Sequence, residues 1–110
     1  MALGLRFFKE EDGKLYSVNR NHGEWEIGKW YTWDGPVVLY KSGFHYYKDP
    51  FEALMNRQGY ILALVEVGKE MAGDGNKFAT NKMQILQIYP TVFLAIMAAA
   101  AADAADAAYA

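Results

Sequence analysis

The run YILALVEV, Tyr60 to Val67, constrains this chain more than any other stretch. It is the most strand-like run in the sequence and reads as a central strand, so other segments must pair with it. MQILQIY, Met83 to Tyr89, is a second alternating strand, ended by Pro90. Near the N-terminus, GLRFF and KLYSV flank EEDG. Leu5 and Phe7 alternate with Arg6 and Phe8, and Asp12-Gly13 is a hairpin-turn dipeptide.

The middle of the chain is rich in short strand signals. EWEIGKWYTW alternates through Glu24–Ile27, kinks at Gly28-Lys29 and runs aromatic to Trp33. Asp34-Gly35-Pro36 turns the chain, VVLY reads as a short strand, Lys41-Ser42-Gly43 turns again, and FHYY is strand-like. Asn19 to Gly23 is a polar loop. Gly68 to Lys82 reads as a glycine-rich excursion, within which GDGN, Gly73 to Asn76, is a turn. GDGN is no phosphate loop, because it lacks the GK[ST] ending and the strand-to-helix order.

Asp49 changes the pattern. Asp at the N-cap, Pro50 at N1 and Glu52 at N3 satisfy the orphan amides of a first helical turn. Phe51, Leu54 and Met55 then share one stripe, and Gly59 supplies a left-handed C-cap. The expected fold is α+β: a mostly antiparallel β-sheet, one short capped helix and a C-terminal Ala-rich helix. Residues 1–90 read as one domain and 91–110 as a tail. Eleven alanines in the last twenty residues favour helix there. Phe93 and Met97 would dock it, and either a second copy or a partner would order the rest, or the helix would stand alone, lying along its own sheet or ordered by crystal contacts.

Composition then removes function classes. With 53% hydrophobic residues, the 110-residue chain can fill one core. All 11 Lys and Arg and 11 of the 13 acids fall in residues 1–90, so that part is neutral. A nucleic-acid binder usually carries a basic excess, so that class is disfavoured. No cysteine is present, which removes disulfides, thiolate metal sites and a nucleophilic thiol. The absence of cysteine suits a cytoplasmic location. Met83 to Ala102 is uncharged for long enough to cross a membrane, but Gln84, Gln87 and Pro90 interrupt it and alanine is weakly lipophilic. The reading is against a span.

Two histidines are the candidate chemistry. His45 has Asp49 and Glu52 nearby in sequence, yet both acids are better used as helix caps. His22 lies in the polar loop and reads as solvated. Neither histidine has the spaced acids of a metal site, so no metal and no cofactor is expected. No Ser/His/Asp triad can be assembled around Ser17 or Ser42. Trp25, Trp30, Trp33, Tyr31, Tyr46 and Tyr47 could stack a base or a nicotinamide, and in a small β-rich domain the same set forms core and cross-strand pairs.

Taken together, these segments resemble a small uncharacterised family common in phages and prophages. Its pattern falls here on Ile27-Gly28-Lys29-Trp30-Tyr31 with Asp34-Gly35, then Gly43-Phe44-His45, Pro50 with Ala53-Leu54, Val65-Glu66-Val67 and Thr80-Asn81-Lys82. Members often carry Cys shortly after the Gly-Phe-His; Tyr46 and Tyr47 stand there in this chain. Ala-rich C-terminal extensions also recur in related proteins. The resemblance implies a phage or prophage accessory protein.

GFHYYKDPFEAL, YILALVEV and FATNK also resemble the middle of compact ADP-ribosyltransferases of the rifampicin-modifying type. That likeness implies an NAD cleft in which Tyr46 or Tyr47 stacks on nicotinamide beside His45. The chain departs from it at the N-terminal histidine strand, where Arg6 and Phe7 stand, and Asp74 is the acid left to serve as catalyst. A scaffold without those groups would be a binding module.

The leading expectation is therefore a non-enzymatic protein that binds a host protein, for instance to inhibit a bacterial defence system such as CRISPR. Trp30, Trp33 and Tyr47 would anchor the partner, with Phe93 and Met97 of the tail as a second surface. The alternatives are an ADP-ribosyltransferase-like enzyme or NAD-binding domain using His45, Tyr46 and Tyr47, and a homo-oligomer built through the tail.

Overall fold

Asp12 and Gly13 turn the chain as their residue types demand. Their φ angles of 53° and 78° are the left-handed pair of a two-residue hairpin. The turn joins β1 (Ala2–Glu11) to β2 (Lys14–Ser17) in antiparallel register, Phe8 opposite Ser17 and Glu11 opposite Lys14. The computed structural model describes residues 1–19, 22–55 and 61–89.

Seven more strands and one helix follow among the described residues: β3 (Glu24–Trp25), β4 (Tyr31–Thr32), β5 (Phe44–Tyr47), α1 (Pro50–Met55), β6 (Ile61–Val67), β7 (Glu70–Gly73), β8 (Lys77–Thr80) and β9 (Lys82–Ile88). The main path across the sheet is β4-β9-β6-β1-β5-β8-β7, and β2 and β3 branch from β1. All strand pairs are antiparallel. The fold is thus α+β, dominated by an antiparallel sheet with one short helix. β6 is central, flanked by β1 and β9, as the YILALVEV run predicts.

The pairing closes on itself. Beyond β3, Ile27 bridges Ile85 of β9, and the Gly28 N–H donates to the Ile85 carbonyl at 2.8 Å. The path β1-β2-β3 therefore returns through β9 and β6 to β1. Inside lies the larger core: Phe8, Leu15, Trp25, Phe44, Tyr46, Ala63, Val65, Val67, Met83 and Ile85. A smaller cluster forms from Leu5, Phe7, Tyr47, Ala53 and Leu62. Burial in both clusters explains why β1 and β6 are apolar at odd and even positions alike.

The cap of α1 forms as its residues require. The Phe51 N–H donates to Asp49 Oδ1 at 2.9 Å, and the Ala53 N–H donates to the Asp49 carbonyl at 3.0 Å. The buried stripe differs from expectation. Ala53 is fully buried and Leu54 packs beside it, but Met55 is 64% exposed. The helix meets the sheet through Ala53 and Leu54, which leaves Met55 outside.

Two other expectations fail for local reasons. VVLY is no strand: Val38 makes one isolated bridge to Ser42, and Tyr40 takes a left-handed φ of 67°. Its amides go to turn carbonyls and side chains instead of a ladder. The glycine-rich excursion is a β7–β8 hairpin, with Gly75 at φ 93° in its turn. Asp74 Oδ1 accepts the N–H groups of Asn76 and Lys77, so the polar residues build the turn and leave the flanks free to pair. No helix among the described residues is long and apolar enough to cross a membrane. The Gly59 cap and the Ala-rich tail, with Phe93 and Met97, lie outside the described residues.

Candidate functional site

The site starts from a fork in the sheet. On one side β1 pairs continuously with β6, from Ala2 to Phe8. On the other side it pairs with β5 only at Leu5–Tyr47, then with β2 from Phe8 onward. Arg6 and Phe7 fall between the two partners. Where the strands part, a cavity of about 290 Å³ opens, lined by Arg6, Ser17, His22, His45, Tyr47 and Lys77 among others.

Arg6 holds the fork together. Its Nη1 donates to the His45 carbonyl of β5 at 3.0 Å, and its Nη2 donates to the Ser17 hydroxyl of β2 at 2.9 Å. The guanidinium lies 5.3 Å from the ring centres of both Phe8 and Trp25. Its Nε is buried and has no hydrogen-bond partner. Burial alone pulls the guanidinium down to about 10, so it keeps its charge at pH 7. No carboxylate among the described residues offsets it. Taking a cation out of water without a counter-charge costs several kcal/mol, set here against two hydrogen bonds and two ring contacts.

Two histidines meet in this cavity although 23 positions separate them. His45 Nε2 accepts the Tyr40 N–H at 2.7 Å, which makes the ring a staple for the segment before β5. Burial, then the charges of Lys77 and Arg6, hold His45 down to about 4, against a weaker opposing hydrogen bond with the Gly43 backbone. The ring is neutral at pH 7, and its acceptor nitrogen is occupied. It is poorly placed to act as a general base.

His22 is not solvated as the polar loop suggested. It is half-buried, edge-on to Phe44 at 4.8 Å and to Trp33 at 5.5 Å, and burial followed by the Arg6 charge lowers its pKa. The aromatic shelf formed by the later segments was not visible from the loop's own residues.

Lys77, with Lys41, adds positive charge to the lining. Its Nζ lies 5.4 Å from the ring centres of both Tyr40 and Tyr47. Burial first, then Arg6, lowers its pKa, with Asp74 opposing. Tyr47 is itself raised by burial and by Asp74, so its phenol stays protonated. Tyr40 donates its hydroxyl to Asp74 Oδ2 across the mouth.

The aromatic anchors expected from the sequence do not form one surface. Trp30 is 39% exposed with Lys82 Nζ 4.6 Å from its ring centre. Trp33 is half-buried, its Nε1–H donating to the Pro36 carbonyl at 3.0 Å. Tyr47 is 7% exposed and turned toward the cavity. Tyr46 is buried in the larger core against Phe78, so it cannot stack on a ligand. Sequence reasoning overlooked Arg6 and Lys77. A lone arginine inside an apolar alternation was the available signal. No group of three or more His, Asp or Glu among the described residues could hold a metal ion.

A family model described as "Domain of unknown function (DUF7666)" matches residues 5–95, most of the chain. The chain belongs to this family. The DUF7666 match takes in every residue of the cavity, from Arg6 to Lys77. No curated protein and no solved structure matches the chain.

Proposed function

We propose that the chain is a binding module for a small anionic ligand, held in the cavity at the fork of β1. The observation that carries this reading is the buried Arg6 guanidinium, which has a polar cavity beside it and no carboxylate partner among the described residues. Lys77 and the two histidines line the same space. A chain with formal charge -2 has thus gathered three basic side chains, Arg6, Lys41 and Lys77, at one concave point. A ligand carboxylate or phosphate would supply the missing counter-charge, with charge-assisted hydrogen bonds to spare guanidinium N–H groups. The volume sits at the low end of the about 300–1,000 Å³ typical of small-molecule sites, which favours a compact ligand over a whole dinucleotide.

The test is thermal unfolding with inorganic phosphate, citrate, AMP or NAD, against sodium chloride at matched ionic strength. Binding to the folded chain adds about 2.7 kcal/mol of stability at a ligand concentration of 100 Kd. At least one anion is expected to raise Tm in the native chain and to leave Arg6→Met unmoved. Equal Tm values across all anions would remove the proposal.

Capture of a host protein, such as a defence component, is the second reading. Ile27 and Trp30 support it, being 53% and 39% exposed along the closure beside β9. A partner captured by the native chain but lost by an Ile27→Ser, Trp30→Ala double variant would favour it. A partner that survives both changes would count against these anchors.

A further inference from the structure

Lys77 is one of two lysines, with Lys41, that line the cavity. Lys9, Lys29 and Lys48 have carboxylates within ion-pair reach, at Glu11, Glu26 and Glu70. Lys77 lines the cavity between two tyrosine rings instead. Its natural counter-ion, Asp74, is three residues away but occupied. Asp74 Oδ1 accepts the backbone N–H groups of Asn76 and Lys77, and Oδ2 accepts the Tyr40 hydroxyl. The hairpin turn thus holds the acid on other partners, with no ion pair to the Lys77 amine, although its charge still opposes the lowering of the Lys77 pKa.

We propose that Lys77 captures a small 2-oxo acid as an imine, with the acid's carboxylate held by Arg6. This rests on the anion-binding reading above. Lysine amines become nucleophilic when desolvated and set near a second cation, and Lys77 is half-buried in the cavity that Arg6 also lines. The ligand class follows from the pair: a guanidinium for a carboxylate and an amine for the adjacent carbonyl, in a cavity sized for few atoms. The free amine attacks the carbonyl carbon and a C–N bond forms. The carbonyl oxygen then leaves as water, carrying two protons that replace those lost from nitrogen. No oxidant or reductant is consumed.

Pyruvate is the probe, incubated with the full chain at pH 7 and sodium cyanoborohydride, which delivers hydride to the imine carbon and makes the adduct permanent. Intact mass and peptide mapping then compare the eight lysines. Labelling is expected at Lys77 ahead of the others. It should fall at least about tenfold in Arg6→Met, as loss of a charge-assisted contact predicts. Inorganic phosphate should compete, and Lys77→Arg should abolish labelling while keeping the phosphate-induced rise in Tm. Phosphate raising Tm while Lys77 labels no faster than surface lysines would overturn the covalent step and spare the anion site. Selective labelling indifferent to phosphate and to Arg6→Met would overturn the oxo-acid assignment. Absence of both the Tm rise and the selectivity would remove both proposals.

Discussion

Arg6 and His45 show what single residues do at this fork. Arg6 ties β5 to β2 but has no carboxylate among the described residues to offset its charge, which is a cost to the ligand-free chain. Arg6→Met should therefore be no less stable than the native chain in ligand-free buffer, although it strips a donor from the His45 carbonyl. Chemical denaturation of the two proteins checks this. A loss of several kcal/mol would show that Arg6 serves the fold alone. His45 carries a pH dependence of definite sign. Its folded value of about 4 lies below its ordinary 6.5, so between those values the unfolded chain binds the extra proton. Its contribution is complete above about pH 6.5 and is lost as pH falls through 4. His22 is shifted the same way and adds to the slope. Denaturation midpoints from pH 7 to 4 should fall in the native chain and fall less steeply in His45→Gln.

At the scale of elements, the β5–β8 wing is built on an aromatic row flanked by glycines. Tyr46 opposes Phe78 across the two strands, ring centres 5.8 Å apart. A Cβ on Gly4 of β1 would come within 2.5 Å of Tyr46, and one on Gly73 of β7 within 2.6 Å of Phe78. Each ring therefore covers the bare backbone of the next strand. Gly4→Ala should destabilise by about 1–3 kcal/mol, the usual cost of overpacking a filled site, measurable by urea denaturation. Full stability in that variant would show that Tyr46 can swing aside. Helix α1 and the first hairpin were legible in the sequence because their signals are local: Asp49 and Pro50 for the cap, Asp12 and Gly13 for the turn. VVLY misled because its amides are satisfied by residues around it, including His45, and strand composition does not reveal such partners.

Across the whole molecule, stability should be graded from the centre outward. β6 has a neighbour on each side and buried residues in both clusters, whereas β7 is an edge strand with exposed Glu70 and Met71. Native-state hydrogen exchange should protect the β1, β6 and β9 amides most and those of β7 least. Uniform protection would mean that the β7–β8 hairpin unfolds only with the core. The family match runs from Leu5 of β1 through β9, which makes the fork, like the core, part of what the family model spans.

The sequence by itself determined the sheet-dominated α+β class, the central place of Ile61–Val67 and the residues that begin the helix. Alternation, turn dipeptides and caps act over a few neighbouring residues, so they are written in short stretches. Only the tertiary structure decided the site. Arg6, His22, His45 and Lys77 come from four separate segments, and they meet because β1 changes partner between Leu5 and Phe8. The same assembly set the states of these groups. His22 became half-buried because Phe44 and Trp33 pack against it, and Lys77 makes no ion pair with Asp74 because the turn holds that carboxylate. Burial and charge environment are sums over neighbours distant in the chain, and no local pattern encodes them.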